Sequence, residues 1–227
     1  MIRKVLITGA AGLCGSVVSH GLNKLKYKIS SCDIKTSPSP AAKALSIPLS
    51  KKIKKIDLRK INKVLKITKG VDAVVHFGGI PRHKPHEDIF KNIIDHNIVG
   101  TYNVFEACRI NKVKRIIFAS SAHIMGYHDR KKKLDEKSSF RPDSHYAVSK
   151  CFGESLSKLY SDKSSSILSS SNFISLKSAP APPTYWYVTL ISSLPARPKS
   201  QASNSSVSIL NSGLKILSPK TYGYQLM

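Results

Sequence analysis

Short apolar runs alternate with stretches of helical periodicity through roughly the first 160 residues of the chain. Runs at 4–8, 29–34, 53–58, 71–77 and 115–120 have the length and composition of buried strands. Between them, helices are predicted after Gly12, where Leu13, Val17, Val18 and Leu22 fall on one side, and at 61–68, 92–109 and about 145–160. Residues 36–50, broken by Pro38, Pro40 and Pro48, predict a loop or an irregular helix; 78–88 and 129–137 predict loops. Strands and helices in strict alternation predict an α/β protein with a doubly wound parallel sheet.

The pattern changes after residue 163. Residues 161–227 hold 18 serines and six prolines, and Asp162 is their one acidic residue. Segments 172–176 and 185–191 have β-propensity, but no convincing amphipathic helix follows. The expected division is therefore a dinucleotide-binding domain over 1–163 and a short, atypical, Ser/Pro-rich segment over 164–227. Such a segment is expected to be poorly ordered, because it buries little apolar surface against its ordering entropy.

Composition adds two constraints. A formal charge of +24 arises from 37 basic against 13 acidic residues. The lysines are spread over loops and helix faces without interleaved aromatics, so a solvated surface is expected and nucleic acid is not. Cys14, Cys32, Cys108 and Cys151 lack metal-site spacing and lie within expected strands and helices, which fits buried thiols in a reducing cytoplasm. The start reads as a strand, not a signal peptide, and no run approaches the ~18 apolar residues of a membrane span. His83 and His86 lie near Glu87 and Asp88, yet no further ligand has recognisable spacing, so no metal is expected.

The candidate chemistry begins where the first strand meets TGAAGLCG at 8–15. Gly9, Gly12 and Gly15 open a helix whose N-terminus suits a pyrophosphate, although an ordinary strand–helix turn has the same look. Asp33, 18 residues beyond Gly15 at the end of the second strand, is placed to accept hydrogen bonds from a ribose. Its charge would repel a 2′-phosphate, favouring NAD over NADP, and neighbouring Lys35 weakens that preference. Downstream, Tyr146 and Lys150 in YAVSK share one helix face. An ammonium beside a phenol stabilises phenolate and makes a better base; a surface pair is the plainer alternative.

TGAAGLCG, Asp33, Asp57-Leu58, HFGG at 76–79, NIVGTYNVFEA at 97–107, FASS at 118–121 and YAVSK together resemble an extended short-chain dehydrogenase/reductase. Within that Rossmann-like superfamily, SSAHIMGY at 120–127 and RPDSHYAVSKCFGE at 141–154 are most similar to uronate dehydrogenases, over residues 1–163. The resemblance implies NAD as cofactor, with Gly9, Gly12, Leu13 and Gly15 at its phosphates and Asp57 and Leu58 flanking the adenine. It implies that Phe77, Gly78 and Gly79 line the nicotinamide side, that Lys150 binds the nicotinamide ribose, and that Asn97 helps place the active-site helix. Tyr146 would be the base. Ser121, preferred to Ser120 from the family pattern, would hydrogen-bond the reacting oxygen, and His123 would contact substrate. For Asp57 a helix cap or surface charge, and for Asn97 and His123 a structural role, stand as alternatives.

The sequence departs from that pattern at Pro81 and Ala122, where a serine and an asparagine are usual, and again after Lys163. The expected activity is oxidation of a sugar, a hexuronate to its aldarolactone, by an enzyme of the cytoplasm working as a homo-oligomer. The departures lead to a further expectation, that the dinucleotide half binds NAD while turnover is weak or absent. A nucleotide-sugar epimerase or dehydratase and a non-catalytic NAD-binding protein are the alternatives.

Overall fold

The computed structural model describes residues 2–49, 52–81, 89–129, 134, 138–163 and 173–176. All of them fall in the first of two units, Met1–Pro180 and Ala181–Met227. The expected strand at 185–191, and His83, His86, Glu87 and Asp88, lie outside the described residues.

Strands β1 (Lys4–Thr8), β2 (Lys28–Asp33), β3 (Ile53–Lys55), β4 (Ala73–His76), β5 (Arg115–Ala119) and β6 (Phe173–Leu176) form one sheet, ordered β3-β2-β1-β4-β5-β6. Every neighbouring pair is parallel. The chain thus starts at the centre of the sheet, moves to one edge, and returns across β1 to the other. That reversal opens a crevice beyond the carboxyl ends of β1 and β4. The sixth strand lies beyond residue 163, so the sheet draws on the segment in which sequence composition changes.

Parallel strands are buried on both faces, and the alternation of side chains divides their residues between two layers. Leu6, Val74, Ile116 and Phe118 join one core with Val64 and Ile67 of α3 (Ile61–Thr68), Val104, Phe105 and Cys108 of α5 (Gly100–Ile110), and Leu156 of α6 (His145–Lys163). Val5, Ile7, Val75 and Ile117 are equally buried, and their alternate positions put them on the other face. On α1 (Leu13–Lys24) the buried positions are Gly15, Ser16, Val18, Ser19 and Leu22. The expected stripe through Leu13 and Val17 is displaced because small residues let the helix approach the strands closely. Each fully buried aliphatic or aromatic side chain contributes about 1.5–3 kcal/mol.

Several elements end differently from expectation. β3 stops at Lys55, where the Ile56 N–H bonds the Asp33 carbonyl and the chain turns through Asp57 and Leu58. The proline-punctuated stretch contains α2 (Pro40–Ala44), begun by Pro40 and capped by the Ser39 hydroxyl on the Ala42 N–H. The expected helix at 92–109 is longer: α4 (Ile89–Ile93) passes through a π-helical segment, Ile94–Val99, into α5. None of the four cysteines is in a disulfide, but only Cys32 and Cys108 are buried; Cys151 is half-buried and Cys14, on the first turn of α1, is exposed. The lysines are less evenly spread than the sequence suggests, because Lys4, Lys28, Lys54, Lys66 and Lys69 line one hollow away from the crevice. Among the described residues no helix is long and apolar enough to cross a membrane.

Polar anchors fix the strand ends. Asp72 accepts from the Arg3 and Lys4 N–H groups and from Lys114 Nζ, tying the start of β1 to the approaches to β4 and β5. At the opposite end of β4, His76 is buried, with Nδ1 2.7 Å from Thr8 Oγ1 and Nε2 3.0 Å from Thr101 Oγ1. Burial first, then the Lys150 charge, pushes His76 down to about 3 from the ordinary 6.5. The unfolded chain therefore binds a proton that the folded chain refuses between those values, and stability is lost as pH falls through that window. We expect the urea midpoint to drop between pH 7 and pH 5, with His76 contributing up to about 1.4 kcal/mol per pH unit below its unfolded value. His96 is lowered as well and shares the sign, so comparison with His76→Gln isolates the effect. An equal drop in that variant would contradict it.

Candidate active site

Gly9 takes a left-handed φ of 69° where β1 ends, and a Cβ there would stand 2.7 Å from the Phe77 carbonyl carbon and 2.8 Å from the Gly78 nitrogen. Only glycine meets both demands. The turns after β1 and β4 can then touch at the mouth of the crevice. Gly15 is under similar pressure, since a Cβ on it would strike the Gly9 carbonyl oxygen. Gly12 supplies the N-cap of α1 without a side-chain cap, and the first turn carries no acidic residue. Unblocked N–H groups and the positive end of a 12-residue helix fit a diphosphate. Asp33 stands beside this turn, accepting from the Ala11 N–H at 3.0 Å and from the Lys35 N–H at 3.1 Å. The glycine cradle, bare helix end and adjacent carboxylate thus fit a dinucleotide.

The β4 side is held by a second set of bonds. Thr8 Oγ1 meets His76 and also accepts from the Gly78 N–H at 3.2 Å. Asn97, in the π-helical segment, accepts from the Ile80 N–H at 2.7 Å and donates to the Ile80 carbonyl at 3.1 Å. It also donates to Ser149 Oγ at 3.2 Å, so one buried amide ties the loop after Gly79 to α6. Insertion of an extra residue per turn is a common way to turn such a side chain out of helical register. Leu58 lies against Gly78, and its carbonyl accepts from Asn103 Nδ2 at 2.9 Å. The Asp57 carboxylate is engaged by Arg59 through the backbone N–H, Nε and Nη2. The Arg59 side chain is the main reason that Asp57 sits at about 2.

Tyr146 and Lys150 occupy successive turns of α6 and meet the end of β5. Ser121 caps the short 3-10 turn Ala122–Met125 and stands near enough to the Tyr146 phenol to favour its ionised form. Lys150 is buried, donates from Nζ to the Ala119 carbonyl at 2.9 Å, and lies 5.0 Å from the Phe118 ring centre and 5.5 Å from that of Tyr146. Burial lowers Lys150 to about 8. Burial also raises the Tyr146 phenol above its ordinary value, and the Ser121 hydrogen bond offsets only part of the rise. Desolvation is thus the largest effect on Tyr146 in this site.

The two adjacent serines diverge. Ser121 turns toward Tyr146, whereas Ser120 donates to the buried Glu154 carboxylate at 2.5 Å. His123 lies edge-on to Tyr146 with ring centres 6.3 Å apart, and its Nδ1 is 2.8 Å from Asp143 Oδ2. Tyr146, Lys150, Ser121 and His123 therefore converge at one end of β5, while the glycine turn, Asp33 and the 77–79 loop gather where β1, β2 and β4 end. Sequence reasoning missed Thr8, Asp143 and Glu154. Glu154 had a signal, since it continues the four-residue spacing of Tyr146 and Lys150; Asp143 had none. Among the described residues no cluster of His, Cys, Asp and Glu could hold a metal ion.

The chain is 35% identical over 161 residues to the uronate dehydrogenase of Pseudomonas syringae pv. tomato, covering 71% of this chain and 55% of that protein. The corresponding figures for the Pseudomonas putida uronate dehydrogenase are 38%, 71% and 56%. A solved mutant of the Agrobacterium tumefaciens uronate dehydrogenase, complexed with NAD, matches with a TM-score of 0.61 at 34% identity, covering 72% of this chain and 58% of that one. MoeE5 in complex with UDP-glucuronic acid and NAD matches with a TM-score of 0.65 at 26% identity, covering 77% and 54%. The chain spans little more than half the length of these relatives. The model of the NAD dependent epimerase/dehydratase family matches residues 5–179, and with the glycine cradle and the Tyr146–Lys150 pair on one parallel sheet, this chain belongs to that family.

Proposed function

We propose that this protein is an NAD-dependent oxidoreductase that oxidises the ring carbon bearing the anomeric hydroxyl of a hexuronate, giving the lactone. The observation that carries the reading is buried Lys150, its Nζ on the Ala119 carbonyl and 5.5 Å from the Tyr146 ring centre, with Ser121 and His123 at the same carboxyl end of β5. Uronate dehydrogenases among the relatives supply the substrate class.

Residues 1–163 carry the cofactor half and the Tyr/Lys pair. Gly9, Gly12, Leu13 and Gly15 would receive the phosphates, Asp33 the adenosine ribose, Asp57 and Leu58 the adenine edge, and Phe77, Gly78 and Gly79 the nicotinamide side. When bound, NAD supplies the acceptor for the hydride that leaves the sugar carbon. Tyr146, entering as the phenolate, would take the hydroxyl proton, Ser121 would hold the same substrate oxygen, and Lys150 would support the phenolate and bind the second ribose. His123 contacts a sugar hydroxyl. Pro81 and Ala122 offer no side-chain donors, so substrate is held by fewer hydrogen bonds and turnover is slow.

A homo-oligomer fits the exposed apolar side chains Phe90, Ile94 and Tyr102 on the α4–α5 helix and Val148 and Leu159 on α6. Phe90 and Ile94, four apart, share one helix face, as do Val148 and Leu159, eleven apart on α6. Light scattering should give more than one subunit, and Ile94→Glu should shift the mass toward the monomer. A monomeric wild-type chain would refute the assembly.

Purified protein supplied with NAD and galacturonate or glucuronate should produce NADH, read as absorbance of the reduced nicotinamide. Tyr146→Phe should lower the rate by ~100-fold or more with cofactor affinity nearly intact. An unchanged rate would remove Tyr146 from the reaction. Isomerised nucleotide sugar without net NADH would favour an epimerase, and NAD binding with no turnover of either class a non-catalytic role.

A further inference from the structure

We infer that Asp143 is a positioning residue that fixes the tautomer of His123, so that Nε2 is the nitrogen that accepts a proton donor from the substrate. The inference rests on the reading of this cleft as a sugar-acid site, but its first measurement does not.

An ionised carboxylate has only acceptors, so His123 Nδ1, at 2.8 Å from Asp143 Oδ2, must carry the proton between them. In the neutral ring Nε2 then carries no proton. An isolated neutral imidazole can place its proton on either nitrogen, and a carboxylate partner removes that choice. The same ring lies edge-on to Tyr146, and the His123 N–H donates to Ser121 Oγ at 3.3 Å, so the residue touches both groups that flank the proposed reacting oxygen. An unprotonated Nε2 accepts the proton of a sugar hydroxyl; a protonated one could only donate to that oxygen, which reverses the hydrogen bond.

The carboxylate is not needed to close the loop on which it stands. Backbone bonds already do this: Asp143 N–H to the His123 carbonyl, Arg141 N–H to the Ile124 carbonyl, and Tyr127 N–H to the Arg141 carbonyl. Space for the carboxylate is nevertheless built in, since a Cβ on Gly126 would run into it. Its other oxygen accepts from Ser144 Oγ at 2.9 Å, and Ser144 Oγ accepts from the Ala147 N–H at the start of α6. One side chain thus joins the imidazole to the helix turn that carries Tyr146. Sequence separation hides the pair, because its members stand 20 positions apart.

The test is nitrogen NMR of protein labelled at histidine, recorded at pH 9, with His123→Gln assigning the signal. The expected wild-type spectrum shows His123 protonated at Nδ1 and bare at Nε2. Asp143→Ala should move the proton to Nε2. A wild-type ring protonated at Nε2 would overturn the inference whether or not the protein turns over substrate. Should Asp143→Ala not fold, Asp143→Asn and the wild-type spectrum carry the test. With galacturonate, Asp143→Asn should lower kcat/KM by ~10-fold or more, as expected for a misplaced contact, while Kd for NAD stays within about twofold, a margin well under the tenfold that 1.4 kcal/mol would produce. An unchanged kcat/KM would overturn the positioning role. The expected tautomer in a protein that turns over no uronate would support the Asp143–His123 pair and count against the sugar reading alone.

Discussion

Burial of one ammonium group organises the end of the molecule where α6 meets β5. Lys150 lies within the protein with its Nζ on the Ala119 carbonyl and close to the Phe118 ring. Its fall from the usual lysine value to about 8 corresponds to roughly 3 kcal/mol against the charged form. Such a group is tolerable only if α6 seats tightly on β5 so that the carbonyl and the aromatic face are both within reach. Gly153 permits this, because any side chain there would enter the Phe118 ring. The seat that fixes Lys150 also carries Tyr146 to the end of β5, where Ser121 waits.

The cofactor side depends on close backbone approach instead of charge burial. Gly9 and Gly15 leave room for two turns to meet, and Asp33 holds the first turn through the Ala11 N–H. Asn97 connects the two halves. Its amide grips both backbone groups of Ile80 and reaches Ser149 on α6, one residue from Lys150. Polar bonds thereby border the crevice on both sides, with His76 buried behind it between two threonines.

Much of this was legible in the sequence where local rules suffice. Alternation of apolar runs gave the order of strands and helices, the glycine spacing gave the cradle, and a spacing of four put Tyr146 and Lys150 on one face. Element ends were less legible, because the turn at Asp57 is set by Arg59 and Asn103, and the extra turn near Asn97 by its grip on Ile80. The burial stripe of α1 was half read: Val18 and Leu22 are buried as expected, but Gly15, Ser16 and Ser19 take the places given to Leu13 and Val17.

The sequence by itself determined the doubly wound α/β order, the dinucleotide cradle and the tyrosine–lysine pair, since each is written in spacings of a few residues that one strand, turn or helix converts directly into geometry. Tertiary structure alone decided that Ser120 turns away to Glu154, that Asp143 grips His123, and that burial raises Tyr146. Those outcomes depend on which groups lose water and which distant segments meet, and burial is a property of the packed whole.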